Sequence, residues 1–200
     1  MTPISYYFSV LSPFTYLAGN RLELIANRRQ RKIEYRPMDI MSLFAQTGGV
    51  PPKDRHISRQ RYRTQELARI AEWLSMPINL SPKHWPTDPK PASYAVISAI
   101  EEEGDIGLLV QNILQACWAN ELDIANSKVI EDCLSLAGFD STKVLQNART
   151  AADIFEANTK KAVEANVFGS PTYVVGDEVF WGQDRLSFLD DLLKEQGYPI

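Results

Sequence analysis

The 200-residue chain reads as an α/β fold, a small mixed sheet interrupted by a large all-helical insertion. Three observations predict it. A strand–helix–strand unit opens the chain, a strand–strand–helix unit closes it, and the long middle carries only helical periodicity and proline-rich loops. The sheet part is expected from residues 1–38 and 167–200, and the insertion from 39–166.

In chain order, residues 4–10 form a short apolar, aromatic run with the pattern of a buried strand. Ser12-Pro13 follows, an N-cap residue with proline at the first helical position. Phe14, Leu17, Ala18, Leu22, Ile25 and Ala26 then recur at helical spacing, which predicts one continuous helix. Residues 33–37 give a second strand closed by Pro37, and this βαβ unit implies parallel strands with a right-handed crossover.

In the middle, residues 39–44 suggest a short helix, and the segment from Thr47 to Pro52 is a Gly/Pro loop. Helices are predicted over 59–74, 92–102, 106–119, 127–136 and 141–165, with an irregular segment of five prolines at 76–91. The tail returns to strands at 173–175 and 178–181 across a Gly176-Asp177 hairpin turn, and a helix over 184–195 ends the pattern.

Composition narrows the function classes. The net charge is −4 with acids and bases interspersed, so nothing favours nucleic acid or an anionic membrane as partner. The one dense basic run, Arg28-Arg29-Gln30-Arg31-Lys32, reads as a solvated helix C-terminus. No apolar stretch is long enough for a membrane span, and residues 1–10 lack a secretory pattern, so a cytoplasmic location is expected. Cys117 and Cys133 lie in no Cys-x-x-Cys, and His56 and His84 lack the spacing of a helical metal pair. Two buried, reduced thiols and no metal are the expectation.

Two places carry candidate chemistry. Ser12-Pro13-Phe14-Thr15 opens a helix, whose free N–H groups and positive dipole end stabilise a nearby anion such as a thiolate. Ser12 then either donates to that thiolate or simply caps the helix. Gly169-Ser170-Pro171-Thr172 leads into a strand. A cis Pro171 would turn the backbone of Ser170 outward to pair with an extended peptide, whereas a trans proline would merely open an edge strand. The element order places both segments at one end of the sheet.

These segments carry a resemblance. The stretch from Tyr7 to Ala18 (YFSVLSPFTYLA) resembles the opening of the 2-hydroxychromene-2-carboxylate isomerases and the kappa-class glutathione transferases. Val167 to Thr172 (VFGSPT) and Phe180 to Leu186 (FWGQDRL) resemble their closing motifs, the latter nearer the isomerases. The resemblance implies a thioredoxin-like fold, glutathione as cofactor and a homodimer. It implies that Ser12 is the catalytic serine, and that Ser170, beside Pro171, pairs through its backbone with the cysteinyl part of glutathione. Trp181, Gly182, Gln183 and Asp184 match the segment that holds the γ-glutamyl end. Asp184 suits the ammonium there, or caps the last helix.

On the substrate side, the isomerases hold an aromatic carboxylate with an adjacent Asn-Arg pair, for which this chain offers Asp54-Arg55, and with an aromatic that corresponds to Trp85. Gly49 stands where both families commonly place asparagine. The implied activity is interconversion of 2-hydroxychromene-2-carboxylate, or a related cyclic hemiketal aromatic carboxylate, and trans-o-hydroxybenzylidenepyruvate. A kappa-type glutathione transferase or peroxidase, and a non-catalytic glutathione-binding protein of the same fold, are the alternatives. A disulfide oxidoreductase would need cysteine at position 12.

Overall fold

The computed structural model describes residues 2–146 and 150–197. Four strands form one sheet in the order β2-β1-β3-β4. Strand β1 (Ile4–Phe8) lies parallel to β2 (Ile33–Pro37) and antiparallel to β3 (Thr172–Val175), and β3 pairs antiparallel with β4 (Glu178–Trp181). The register sets Tyr6 opposite Tyr35 and Tyr173, so three tyrosines meet across the sheet. Strands β1 and β3 are central and almost wholly buried, while β4 is a half-exposed edge.

The predicted first helix is in fact two, α1 (Pro13–Ala18) and α2 (Arg21–Arg28). Gly19 takes φ +57°, and its N–H bonds the Tyr16 carbonyl at 3.0 Å, which closes the first helix. The apolar spacing continues across the break because both segments bury the same side, Leu17 and Ala18 before it and Leu22, Ile25 and Ala26 after it. The basic run ends α2 as expected, with Arg28, Gln30 and Lys32 exposed, and its three arginines also find protein partners. Asp190 on α10 (Leu186–Gln196) takes Arg28 and Arg29 at 2.7 Å each, and the buried Arg31 reaches the Thr2 carbonyl and Gln196. Three basic side chains thus pin the last helix against the sheet's outer layer.

The middle segment comprises α3 (Ile40–Thr47), a 3-10 turn (Pro52–Asp54), α4 (Ile57–Leu74), α5 (Lys90–Ala99), α6 (Ile106–Trp118), α7 (Ser127–Leu136), α8 (Ser141–Gln146) and α9 (Ala151–Glu164). Helix α3 starts at the cap that Asp39 provides to the Met41 and Ser42 N–H groups and runs one turn beyond expectation, ending at Gly48, which takes φ +75°. Helix α5 stops at Ala99, short of the predicted 102. The single helix expected over 141–165 is two, and its residues 147–149 lie outside the described residues. One core joins the sheet to these helices, with Ile4, Tyr6 and Phe8 in the same apolar cluster as Leu109, Ile113 and Trp118. Cys117 and Cys133 sit in that core as free thiols. No helix among the described residues is long and apolar enough to cross a membrane.

Candidate active site

Ser12 is the N-cap of α1, with extended backbone and an oxygen that accepts from the Thr15 N–H at 3.2 Å. The same hydroxyl donates to the Ser170 carbonyl at 3.1 Å. The Ser170–Pro171 bond is cis. Both sequence-stretch expectations therefore meet: the first helix and the Ser-Pro turn come together, although 158 residues separate them. Helix α1 is only six residues long, so its dipole is smaller than that of the continuous helix expected from the sequence. The hydroxyl itself and the local N–H groups dominate the field at this point.

Two residues not singled out from the sequence hold Ser170 in place. Its hydroxyl accepts from the Ser9 N–H at 2.8 Å and shares a 2.8 Å hydrogen bond with the Thr15 hydroxyl. Thr15 is three residues after the cap, so its spacing from Ser12 was visible, but its pairing with residue 170 was not. With its side chain and carbonyl so engaged, Ser170 keeps a backbone N–H that has no acceptor among the described residues.

The segment after β4 joins the same corner, because the Gly182 N–H donates to the Pro171 carbonyl at 2.9 Å. Trp181 is half-exposed and packs edge-on against Phe168, with ring centroids 4.8 Å apart. Gln183 turns inward, and its side-chain oxygen accepts from Arg21 at 2.7 Å. That oxygen ties the corner to α2, in a side chain that is buried. Asp184 is exposed, and among the described residues its ion-pair partner is Arg185, at 3.4 Å. It does not cap the last helix, which begins at Leu186 after Arg185 with no side-chain cap.

Of the candidate substrate residues, Trp85 reaches this corner. Trp85 donates its indole N–H to the Leu11 carbonyl at 3.2 Å, directly before Ser12, and packs on Trp118 at 5.5 Å. Trp85 therefore covers the core of the helical segment and also borders Ser12. The Arg63 guanidinium lies over the Trp85 ring at 5.7 Å. Arg55 donates its Nε to the Val50 carbonyl at 2.7 Å, and Asp54 is exposed on the 3-10 turn. Burial lowers the pKa of Arg55 and of Arg63, in the first case with help from Arg59 and in the second from Arg55, so this wall is electropositive.

Gly49 has a local physical reason. A Cβ built there would lie 2.3 Å from the Phe44 ring, so an asparagine would require that ring to move. Neither cysteine can serve as nucleophile, since burial pushes Cys117 up to about 12 and Cys133 up to about 11.

Comparison with known proteins places this geometry. Residues 3–194 match the DSBA-like thioredoxin domain. A 2-hydroxychromene-2-carboxylate isomerase of Sphingobium xenophagum is 29% identical over 200 residues, covering 95% of this chain and 97% of the relative. The solved structure of a 2-hydroxychromene-2-carboxylate isomerase superposes with a TM-score of 0.77 at 24% identity, over 96% of this chain and 95% of the other. The cytosolic disulfide reductase DsbM from Pseudomonas aeruginosa, solved with GSH, superposes with a TM-score of 0.68 at 15% identity, over 96% of this chain and 99% of the other. At those identities the two structures establish likeness of fold.

Proposed function

Since this chain belongs to the DSBA-like thioredoxin family, we propose that it is a glutathione-dependent isomerase of an aromatic carboxylate. The reaction is interconversion of 2-hydroxychromene-2-carboxylate, or a related cyclic hemiketal, and trans-o-hydroxybenzylidenepyruvate. The observation that carries the reading is the meeting of Ser12 with the Ser170–Pro171 turn, in a chain whose own thiols are buried and protonated. Such a corner suits a thiol brought from outside. The naming of the Sphingobium relative as an isomerase supports the choice of reaction.

The residues present fit glutathione. The Ser170 N–H is placed to pair with an extended peptide, and the exposed Asp184 carboxylate suits an ammonium. Trp181 and the backbone of residues 182 and 183 flank it. When bound, glutathione would supply a thiolate that adds to the conjugated carbon of the open-chain form, leaves a single bond free to rotate, and is expelled again as the double bond re-forms. Ser12, whose hydroxyl donates to the Ser170 carbonyl, would turn that hydrogen towards the sulfur and favour its anionic form. The Thr15 N–H, still bonded to the Ser12 oxygen, makes that hydroxyl a better donor. In this reading Trp85, which borders Ser12, and Arg55, with Asp54 beside it, are the residues that receive the aromatic carboxylate.

Turnover of trans-o-hydroxybenzylidenepyruvate, followed by absorbance with and without glutathione, tests the reading. Activity that requires glutathione without consuming it supports the isomerase. Stoichiometric consumption would reassign the chain as a transferase, and binding without turnover would make it a non-catalytic glutathione-binding protein. The active form is a homodimer in this reading, to be checked by sedimentation equilibrium.

A further inference from the structure

On α4 the buried residues Leu67 and Ala71 recur four apart, and Arg63 lies one turn earlier on the same stripe. The sequence thus puts a guanidinium where a core helix would carry an apolar side chain, and the side chain is half-buried there. Its guanidinium lies over Trp85, at 5.7 Å from the ring centroid. Among the described residues it has no hydrogen-bond acceptor and no carboxylate in ion-pair range. Its charged neighbour is Arg55, another cation. A partly desolvated cation with five donors and no acceptor is costly unless an anion comes to it.

Trp85 links this group to the chemistry, because the indole N–H is bonded to the Leu11 carbonyl next to Ser12. Arg55 is differently committed. Its Nε is held by the Val50 carbonyl at 2.7 Å, which removes the Nε side of its fork from bidentate use. We propose that Arg63 is the residue that receives the carboxylate of an aromatic substrate whose ring lies along Trp85, with Arg55 adding positive potential behind it. This assignment deepens the isomerase reading and rests on it for the identity of the substrate. The recognised class is a planar aromatic ring carrying a conjugated side-chain carboxylate.

The test pairs kinetics with binding of an unreactive probe. KM and kcat for trans-o-hydroxybenzylidenepyruvate are measured for wild type, Arg63→Met, Arg63→Lys and Arg55→Met. Cinnamate and its uncharged amide are titrated against the same proteins by calorimetry. Loss of charge-assisted hydrogen bonds to a carboxylate predicts a KM raised roughly tenfold to a hundredfold in Arg63→Met, with a smaller change in kcat. Wild type should prefer cinnamate to the amide, Arg63→Met should lose the preference, and Arg63→Lys should keep part of it. An unchanged KM and an unchanged preference in a folded Arg63→Met protein that still binds glutathione overturn the assignment, as does a loss confined to Arg55→Met. If Arg63→Met does not fold, a wild type without preference for cinnamate overturns it. Wild-type protein that prefers cinnamate through Arg63 yet turns nothing over removes the isomerase reading and leaves the anion site. Glutathione-dependent turnover indifferent to Arg63 does the reverse.

Discussion

Ser12 has two hydrogen bonds of different kind, accepting from the Thr15 N–H and donating to the Ser170 carbonyl. The first belongs to any helix cap, and the second depends on the fold. Ser12→Ala should therefore leave the protein folded, at a cost of about 1 kcal/mol for the lost cap. Turnover at neutral pH should fall, and the thiolate absorbance of bound glutathione should titrate at higher pH than in wild type. One pKa unit would correspond to about 1.4 kcal/mol of preferential thiolate stabilisation. Identical ultraviolet titrations of the two complexes would leave Ser12 as a cap alone. Asp184 divides the other way. Because it does not cap the last helix and its ion pair among the described residues is the exposed one with Arg185 at 3.4 Å, Asp184→Asn should leave the melting temperature nearly unchanged. If the carboxylate pairs with the γ-glutamyl ammonium, the substitution should weaken glutathione binding by about 1.5–3 kcal/mol, roughly ten- to a hundredfold. A calorimetric dissociation constant equal to that of wild type would exclude that pairing.

At the scale of elements, the loop after α3 illustrates how a site position is set by local packing. Phe44, on the last turn of that helix, lies over Gly49, whose N–H bonds the Phe44 carbonyl at 3.0 Å. Gly49→Asn should destabilise the fold by about 1–3 kcal/mol through overpacking. The loss should shrink in a Phe44→Ala background, and a double-mutant cycle in urea measures that coupling. Additive effects would mean that the ring and residue 49 do not compete for space. The same kind of packing explains the break between α1 and α2. A turn at Gly19 lets two short helices bury one apolar side in common, which a sequence pattern reads as one helix.

For the molecule as a whole, stability is linked to pH through Glu23. It is half-buried, one oxygen accepts from Tyr35 at 3.0 Å and the other is buried with no hydrogen-bond partner among the described residues. Burial raises its pKa above the ordinary carboxylate value, with the hydrogen bond from Tyr35 opposing. The folded state therefore binds this proton more tightly than the unfolded chain. Stability from this group is fully present below the unfolded pKa and is lost as pH rises through the folded one. Glu23→Gln should melt higher than wild type at neutral pH, and the gap should narrow on acidification into the carboxylate range. A gap that does not vary with pH would exclude the linkage.

The strand–helix–strand opening, the strand–strand–helix close, and the Ser12-Pro13 and Ser170-Pro171 turns were legible in the sequence. Each is written in local terms, as periodicity, a cap or a proline, and such terms act over a few residues. The parallel pairing of β1 with β2 and the antiparallel hairpin of β3 with β4 follow from their connections, whereas the antiparallel pairing of β1 with β3 is seen only in the structure. Pairings across the chain were decided by tertiary structure. Ser9 and Thr15 close on the Ser170 hydroxyl, Gln183 turns in to Arg21, Asp190 gathers Arg28 and Arg29, and Arg63 lies on Trp85. None of these has a sequence signature, because each depends on sheet register and on the rotation of packed helices. Those are settled only when the whole core closes, since interiors pack densely and one side chain's direction constrains the next.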